Sequence, residues 1–371
     1  MSGISVAYHF RNQNILLLEK DYLLSGASGS NAGFLITGFG EHFHRTTKRW
    51  GSARAREIQE IHEASHRKIR ERIQSGEVMA QDGSFSIAFT DKEAQDLRAS
   101  YESMLAEGFP VEWISSANVG LSSPLPALRN PVDALLDSRI FWNSLAASVP
   151  HKTHSAVIKV VDAGDSLIVI TSKEELRAKN VVYCLNAYSE KLIPELEGKF
   201  IPLRGQMVEL PLLKDPPCRN PVIANYGEIY WNFTPTTLRF GGLEYVVPQD
   251  EVGIANALSQ NILRAQIEWI EEHFEPGLVT PLAMKAWYGT MAFTVDGFPF
   301  VGRLPGRRNQ YVLCGMCGLG HSYAMECASW ICDLITRDTN IIPAYFSSDR
   351  IVGLPEYRGG DWRSLYEAWN H

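Results

Sequence analysis

Apolar and polar positions follow a helical period in some segments and a strand period in others, and their order sketches a fold. Ile4 to Arg11 reads as a short amphipathic helix in which Ala7 and Phe10 extend the Ile4 face. The unbroken run Asn14-Ile15-Leu16-Leu17-Leu18-Glu19 predicts a strand buried on both faces, as in parallel sheets, closed by an acid. Ser25 to Gly33 holds only small residues, none able to pack a core, so its use lies in its backbone. A charged helix is expected from Ala53 to Ile73, with an apolar stripe at Ile58, Ile61, Ile69 and Ile73. Ser84 to Phe89 alternates like a half-buried strand, and Asp91 to Glu107 reads as a helix.

Ala156–Val161, Leu167–Thr171 and Asn180–Leu185 predict three strands joined by tight turns, with Gly164 in the first turn. Pro202 to Tyr245 is rich in strand formers, and Asn256 to His273 is helical in pattern. The chain then gives a strand, Tyr311 to Cys314, a glycine-rich turn, Gly315 to Gly320, and a helix from Ser322 to Ile335. Strands and helices alternate at both ends while the middle is sheet-rich. The expected fold is α/β: a Rossmann-like nucleotide-binding domain built from separated segments, with an inserted domain on a mixed or antiparallel sheet.

Composition narrows the function classes. Of 371 residues, 45% are hydrophobic, 21% charged and 11% aromatic, which excludes disordered and collagen-like chains. The net charge of -7 gives no broad basic surface for nucleic acid. Apolar runs are far shorter than the roughly 18 residues that a membrane span needs. The start lacks a basic region followed by a long apolar stretch, so no signal peptide is expected. Six cysteines make no disulfide framework, so a reducing, cytoplasmic setting is expected.

A dinucleotide fold needs a strand, a glycine-rich turn, a helix, a second strand and an acid that accepts from ribose hydroxyls. Gly3 stands where the third glycine belongs, and Glu19 ends the next strand 16 residues later. The first strand and the first two glycines have no counterpart, so the chain reads as truncated inside its motif. Two other patterns compete. His62-Glu63-Ala64-Ser65-His66 is a literal zinc-peptidase H-E-x-x-H, but it has no third ligand, and His62 falls in the isoleucine stripe. Cys314-x-x-Cys317 lacks a matching pair at zinc-ribbon spacing, and small buried thiols explain it better.

Six ordered segments resemble the FAD-dependent oxidoreductases of the D-amino-acid oxidase, glycine oxidase and sarcosine oxidase type, across essentially the whole chain. Gly3-Ile4-Ser5-Val6-Ala7-Tyr8-His9 is similar to the family's first helix, and Leu17-Leu18-Glu19-Lys20 to its ribose-binding strand end. Ser25 to Gly33 resembles its flavin-contacting loop, and Pro202-Leu203-Arg204-Gly205-Gln206 its P-x-R-G-Q strand. Asn180 to Ser189 and Thr294-Val295-Asp296-Gly297-Phe298-Pro299-Phe300-Val301-Gly302 complete the set. The resemblance implies non-covalent FAD, hydride transfer from the carbon beside an amine to flavin N5, and hydrolysis of the imine. Oxygen or an electron carrier would reoxidise the flavin. It implies cofactor contacts at Gly3, Glu19, Lys20, Ser25, Ala27, Ser28, Asn31, Ala32, Gly33, Val157, Gly205, Gly315, Gly318, Gly320 and His321.

The departures bear on substrate. The arginine that holds a substrate carboxylate in glycine-oxidase-like members is replaced by Met291, in Gly289-Thr290-Met291-Ala292. The sarcosine-type lysine appears as Ser322, its arginines have no match at Ile36 or Thr37, and its flavin-bonding cysteine falls near Gly289. Either the clamp has moved, or the substrate is an amine without an α-carboxylate. Arg239 aligns with a basic residue over the flavin and is the catalytic candidate. Arg45, beside His42 and His44, could recruit an anion, and Tyr230 is read as a wall of the substrate pocket. The expected domains are 1–75, 141–200 and 290–371 for FAD, with 76–140 and 201–289 for substrate. The alternative is a truncated or degenerate flavoprotein that binds a partner without turnover.

Overall fold

The computed structural model describes residues 1–39, 41–73, 78–80, 83–360 and 362. The chain divides into two compact units. The first comprises Met1–Gly29, Ser138–Leu203 and the described residues of Met291–Trp369; the second holds Ser30–Asp137 and Arg204–Thr290. The expected extents put 30–75 with the first unit, whereas the described residues of that stretch belong to the second. The expected boundary at 75/76 lies outside the described residues. The chain crosses early because the small-residue segment is divided at Gly29: its first half turns in one unit and its second half enters a sheet in the other.

The first unit carries the Rossmann-like elements. Leu17–Leu18 pairs in parallel with His151–Lys152, and Val181–Tyr183 pairs in parallel with Gln310–Cys314, which Phe300–Arg303 flanks antiparallel. The helix Ser2–His9 packs along the helix Gly320–Arg337 and against Ser138–Ala146. The run ending at Glu19 is a weaker strand than its composition predicts, two half-buried residues long. Among the described residues its only ladder partner is His151–Lys152, which leaves Leu16 exposed. Tyr183, Phe200, Phe300 and Val312 form the core here.

Three antiparallel strands, Val157–Asp162, Leu167–Thr171 and Glu175–Ala178, make a separate sheet. The third of these was not foreseen. The expected strand at Asn180–Leu185 joins the Gln310–Cys314 sheet instead, since its register runs Val181 to Gln310.

The second unit is built on an eight-stranded mixed sheet. Its order is Lys285–Thr294, Phe200–Pro211, Thr237–Gly242, Ile229–Phe233, Val222–Ala224, Ser84–Ile87, Leu125–Asn130, Glu112–Ala117. Val222–Ala224 and Ser84–Ile87 pair in parallel. One face carries Trp231, Phe233, Leu238, Phe240, Val208 and Leu210, all at most 2% exposed, packed against Phe274 from the helix end. That helix, Gln260–His273, starts later than its pattern suggests because the Ser259 side chain accepts from Ile262 N–H and caps it. Thr90 caps Asp91–Ala106 in the same way. The charged helix runs Ser52–Arg70, preceded by an unforeseen helix, Phe43–Trp50; Gly51 at φ 83° breaks them apart.

Candidate functional site

In the first unit, the chemistry expected of a nucleotide site gathers around two helix starts. Ser2–His9 and Gly320–Arg337 both begin without an acidic residue in the first turn, which leaves their N–H groups fit for an anion. Gly3 sits over Leu17 and Cys184: a Cβ there would lie 3.2 Å from Leu17 Cδ1 and 3.6 Å from Cys184 Cβ. A Cβ on Gly320 would come within 2.9 Å of the Met1 side chain. The Met1 α-amino group donates to Ser28 Oγ at 2.8 Å, and burial lowers it to about 6. Glu19 raises it by Coulombic attraction, so the acid that ends the strand lies within electrostatic reach of the helix start.

The other first-unit candidates take varied roles. Ala27, Ser28 and Gly29 form a short 3-10 turn, entered from Ser25, whose N–H donates to Tyr22 O. Lys20 is exposed and lies over the Tyr188 ring at 4.8 Å. Val157 opens the first strand of the three-stranded sheet. Gly315, at φ 74°, has no room for a side chain, since a Cβ would lie 2.6 Å from Thr294 Cγ2 and 2.8 Å from Phe200 Cε1. Gly318 is also left-handed, at φ 82°, and Met291 Sδ lies 3.7 Å from where its Cβ would stand. His321 is buried, shares a 3.0 Å hydrogen bond with Ser138 Oγ and stacks on Trp142.

In the second unit, the segment Ser30–Thr37 is fastened to the sheet. Alternation puts Tyr230 and Asn232 on the face opposite Trp231, and the register sets Tyr230 against Gly241 and Asn232 against Arg239. Asn232 Nδ2 donates to Ala32 O at 3.2 Å, and Trp287 Nε1 donates to Ser30 O at 3.0 Å. Phe34 meets the Tyr230 ring edge-on at 5.9 Å. Asn31 Oδ1 accepts from Gly33 N–H, and Gly33, at φ 80°, abuts Leu136 O. Gly205 lies on the long strand Phe200–Pro211, one residue before Gln206, whose N–H donates to the buried Glu244 at 2.7 Å. Burial pushes Glu244 up to about 8.

Tyr230 lies across Gly241, where a Cβ would come 2.4 Å from its ring. Its phenol is pushed up by burial and by Glu244. Arg239 Nε donates to Glu209 at 2.7 Å, and Lys285 stands 3.6 Å from the same carboxylate. Arg45 pairs with Glu41 at 3.2 Å and covers the Tyr226 ring at 4.4 Å. Asp96 accepts from that tyrosine's hydroxyl. Neither arginine is an unmatched cation.

Sequence reasoning missed Asn232 and Trp287. The one available signal was a polar residue inside the aromatic run Ile229-Tyr230-Trp231-Asn232-Phe233. The H-E-x-x-H pattern is a packing feature, with His62 and His66 fully buried and His62 lowered to about 3 by burial. No group of three metal-ligating side chains occurs among the described residues, and all six cysteines are free thiols. Cys314 and Cys317 are buried and pushed up to about 12 and about 11, which keeps them protonated. No helix among the described residues is long and apolar enough to cross a membrane.

Comparisons with known proteins agree with this architecture. The chain is 24% identical over 360 residues to glycine oxidase of Geobacillus kaustophilus, covering 92% of each chain. It is 22% identical to gamma-glutamylputrescine oxidoreductase of Escherichia coli, covering 98% of this chain and 87% of that one. Among solved structures, L-proline dehydrogenase from P. horikoshii shares the fold with a TM-score of 0.75 at 18% identity, over 95% of both chains. The family described as FAD dependent oxidoreductase matches residues 1–334. The chain belongs to that family: it is an enzyme with non-covalent FAD that oxidises a C–N bond of an amine or amino acid.

Proposed function

We propose that the enzyme oxidises an amine without an α-carboxylate, on the polar sheet face that carries Tyr230, Asn232 and Gly241. Bound FAD supplies the electron sink for the C–H bond beside the nitrogen. In the first unit the helix starts at Gly3 and Gly320 suit its pyrophosphate and Glu19 its ribose; in the second, Ser30–Gly33 belongs to the segment that resembles the family's flavin-contacting loop. Asn232 and Trp287 hold that backbone by its carbonyls at Ala32 and Ser30. Tyr230, held flat over Gly241, walls the substrate and keeps water from it.

One observation carries the substrate reading. A carboxylate is best held by an unpaired arginine fork, yet Arg239 is matched by Glu209 and Arg45 by Glu41, and the remaining expected arginine is Met291. The acceptor is oxygen or an electron carrier. The test is a panel of primary and secondary amines beside the corresponding α-amino acids, followed by flavin reduction without oxygen. Faster reduction by the amines supports the reading, and faster reduction by the α-amino acids removes it.

A further inference from the structure

We propose that Asp133 is a positioning residue for the flavin segment, clasping Thr37 as a hydrogen-bond acceptor whose work does not depend on its charge. The inference rests on the reading that Ser30–Gly33 meets the flavin. Asp133 immediately precedes Ala134–Leu136, the strand that pairs Phe34 with Leu135 and Leu35 with Ala134. Its carboxyl is 3% exposed. Oδ1 accepts from Thr37 N–H at 2.9 Å and from Thr37 Oγ1 at 3.0 Å, and Oδ2 accepts from Ser84 Oγ at 2.6 Å. Asn130 Nδ2 donates to Thr37 Oγ1 at 2.7 Å. At the other end of the same short strand, Leu136 N–H donates to Gly33 O at 2.7 Å. The segment that Asn232 and Trp287 hold at Ala32 and Ser30 is thereby also pinned at Gly33 and Thr37.

The surroundings favour neither charge state outright. Burial pushes Asp133 up to about 7, while Ser84, Thr37 and the Arg70 guanidinium pull it down. Arg70, from Ser52–Arg70, donates to Val132 O and is itself influenced by Glu63. Burial thus favours the protonated form and these partners the ionised one, and the geometry accepts both. When Asp133 is ionised, the Ser84 hydroxyl donates to Oδ2. When Oδ2 is protonated, it donates to Ser84 Oγ, whose own hydrogen rotates away, and Oδ1 goes on accepting from Thr37. An asparagine reproduces the second arrangement.

The test is FAD titration of apoprotein by flavin fluorescence, with the bound visible spectrum, at about pH 5.5 and about pH 8.5 on either side of that titration. Asp133→Asn keeps FAD affinity within about threefold of wild type and the same spectrum at both pH values. Asp133→Ala loses about tenfold or more, the expected cost of stranding the half-buried Thr37 donors, and shifts the flavin band. Thr37→Val, which removes one donor and keeps the shape, loses less in the same direction and serves if the alanine variant does not fold. Asn as weak as Ala would show that charge does the work, and wild-type affinity and spectrum in Ala or in Thr37→Val would show that nothing is positioned; either overturns the inference alone. Wild type that binds no FAD overturns the cofactor reading and this inference with it.

Discussion

Two glycine-bearing segments of this enzyme reach a fixed backbone by opposite means. Gly315 to Gly320 is set by sterics: Gly315 and Gly318 are left-handed, and Thr294 and Phe200 fill the place of a side chain at Gly315. Ser30 to Thr37 is set by polar groups far away in sequence. Asn232 reaches Ala32 across 200 residues, Trp287 reaches Ser30 across 257, and Asp133 reaches Thr37 across 96. The first kind of segment announces itself by its glycines. The second shows only that Ser30 to Gly33 are small.

The largest effect should come from breaking the steric segment. Gly315→Ala forces an L-residue to φ 74° against a packed Thr294, and is expected to destabilise by roughly 3 kcal/mol, strain and overpacking together. Urea unfolding checks this. A wild-type midpoint would show that the turn relaxes freely.

A smaller loss is expected from the polar segment, because each clamp is one hydrogen bond among several. Asn232→Ala should weaken FAD binding by about tenfold, near the cost of leaving the Ala32 carbonyl unpaired, while the unfolding midpoint falls less than in Gly315→Ala. Reversal of that order would erase the distinction between the two segments. Gly241→Ala sharpens it further. A methyl 2.4 Å from the Tyr230 ring must move the ring, so KM for amines should rise while FAD affinity holds.

His62 titrates near 6.5 when unfolded and near 3 when folded, so the folded state favours the neutral ring. Its contribution to stability is complete above pH 6.5 and is lost as pH falls toward 3. His62→Gln should therefore flatten the fall in stability between about pH 6 and about pH 4, as followed by thermal unfolding. An unchanged slope would place the acid sensitivity elsewhere.

These segments also show what the sequence makes legible. Gly3 with Glu19, and the glycines from 315 to 320, are local patterns whose chemistry can be named from spacing, and the structure brings each set to a helix start. The split of the small-residue stretch at Gly29 left no trace in composition, because both halves are equally small. The partners of Arg239 and Arg45 were also hidden. An arginine aligned with a catalytic one and an arginine neutralised by Glu209 look alike until the strands Phe200–Pro211 and Thr237–Gly242 are set in register. Thus the fold and cofactor were largely readable, whereas the charge state of the substrate face was not.

Met291 joins that question to an experiment. Met291→Arg supplies an unmatched guanidinium and should raise turnover of small α-amino acids; no gain across a panel would mean that the position does not face the substrate. The most direct measurement uses the wild type. FAD-loaded enzyme is mixed without oxygen with an amine and with the α-amino acid of the same carbon skeleton, and bleaching of the flavin band is timed. The amine is expected to bleach the band faster, and faster bleaching by the amino acid would contradict an amine substrate without an α-carboxylate.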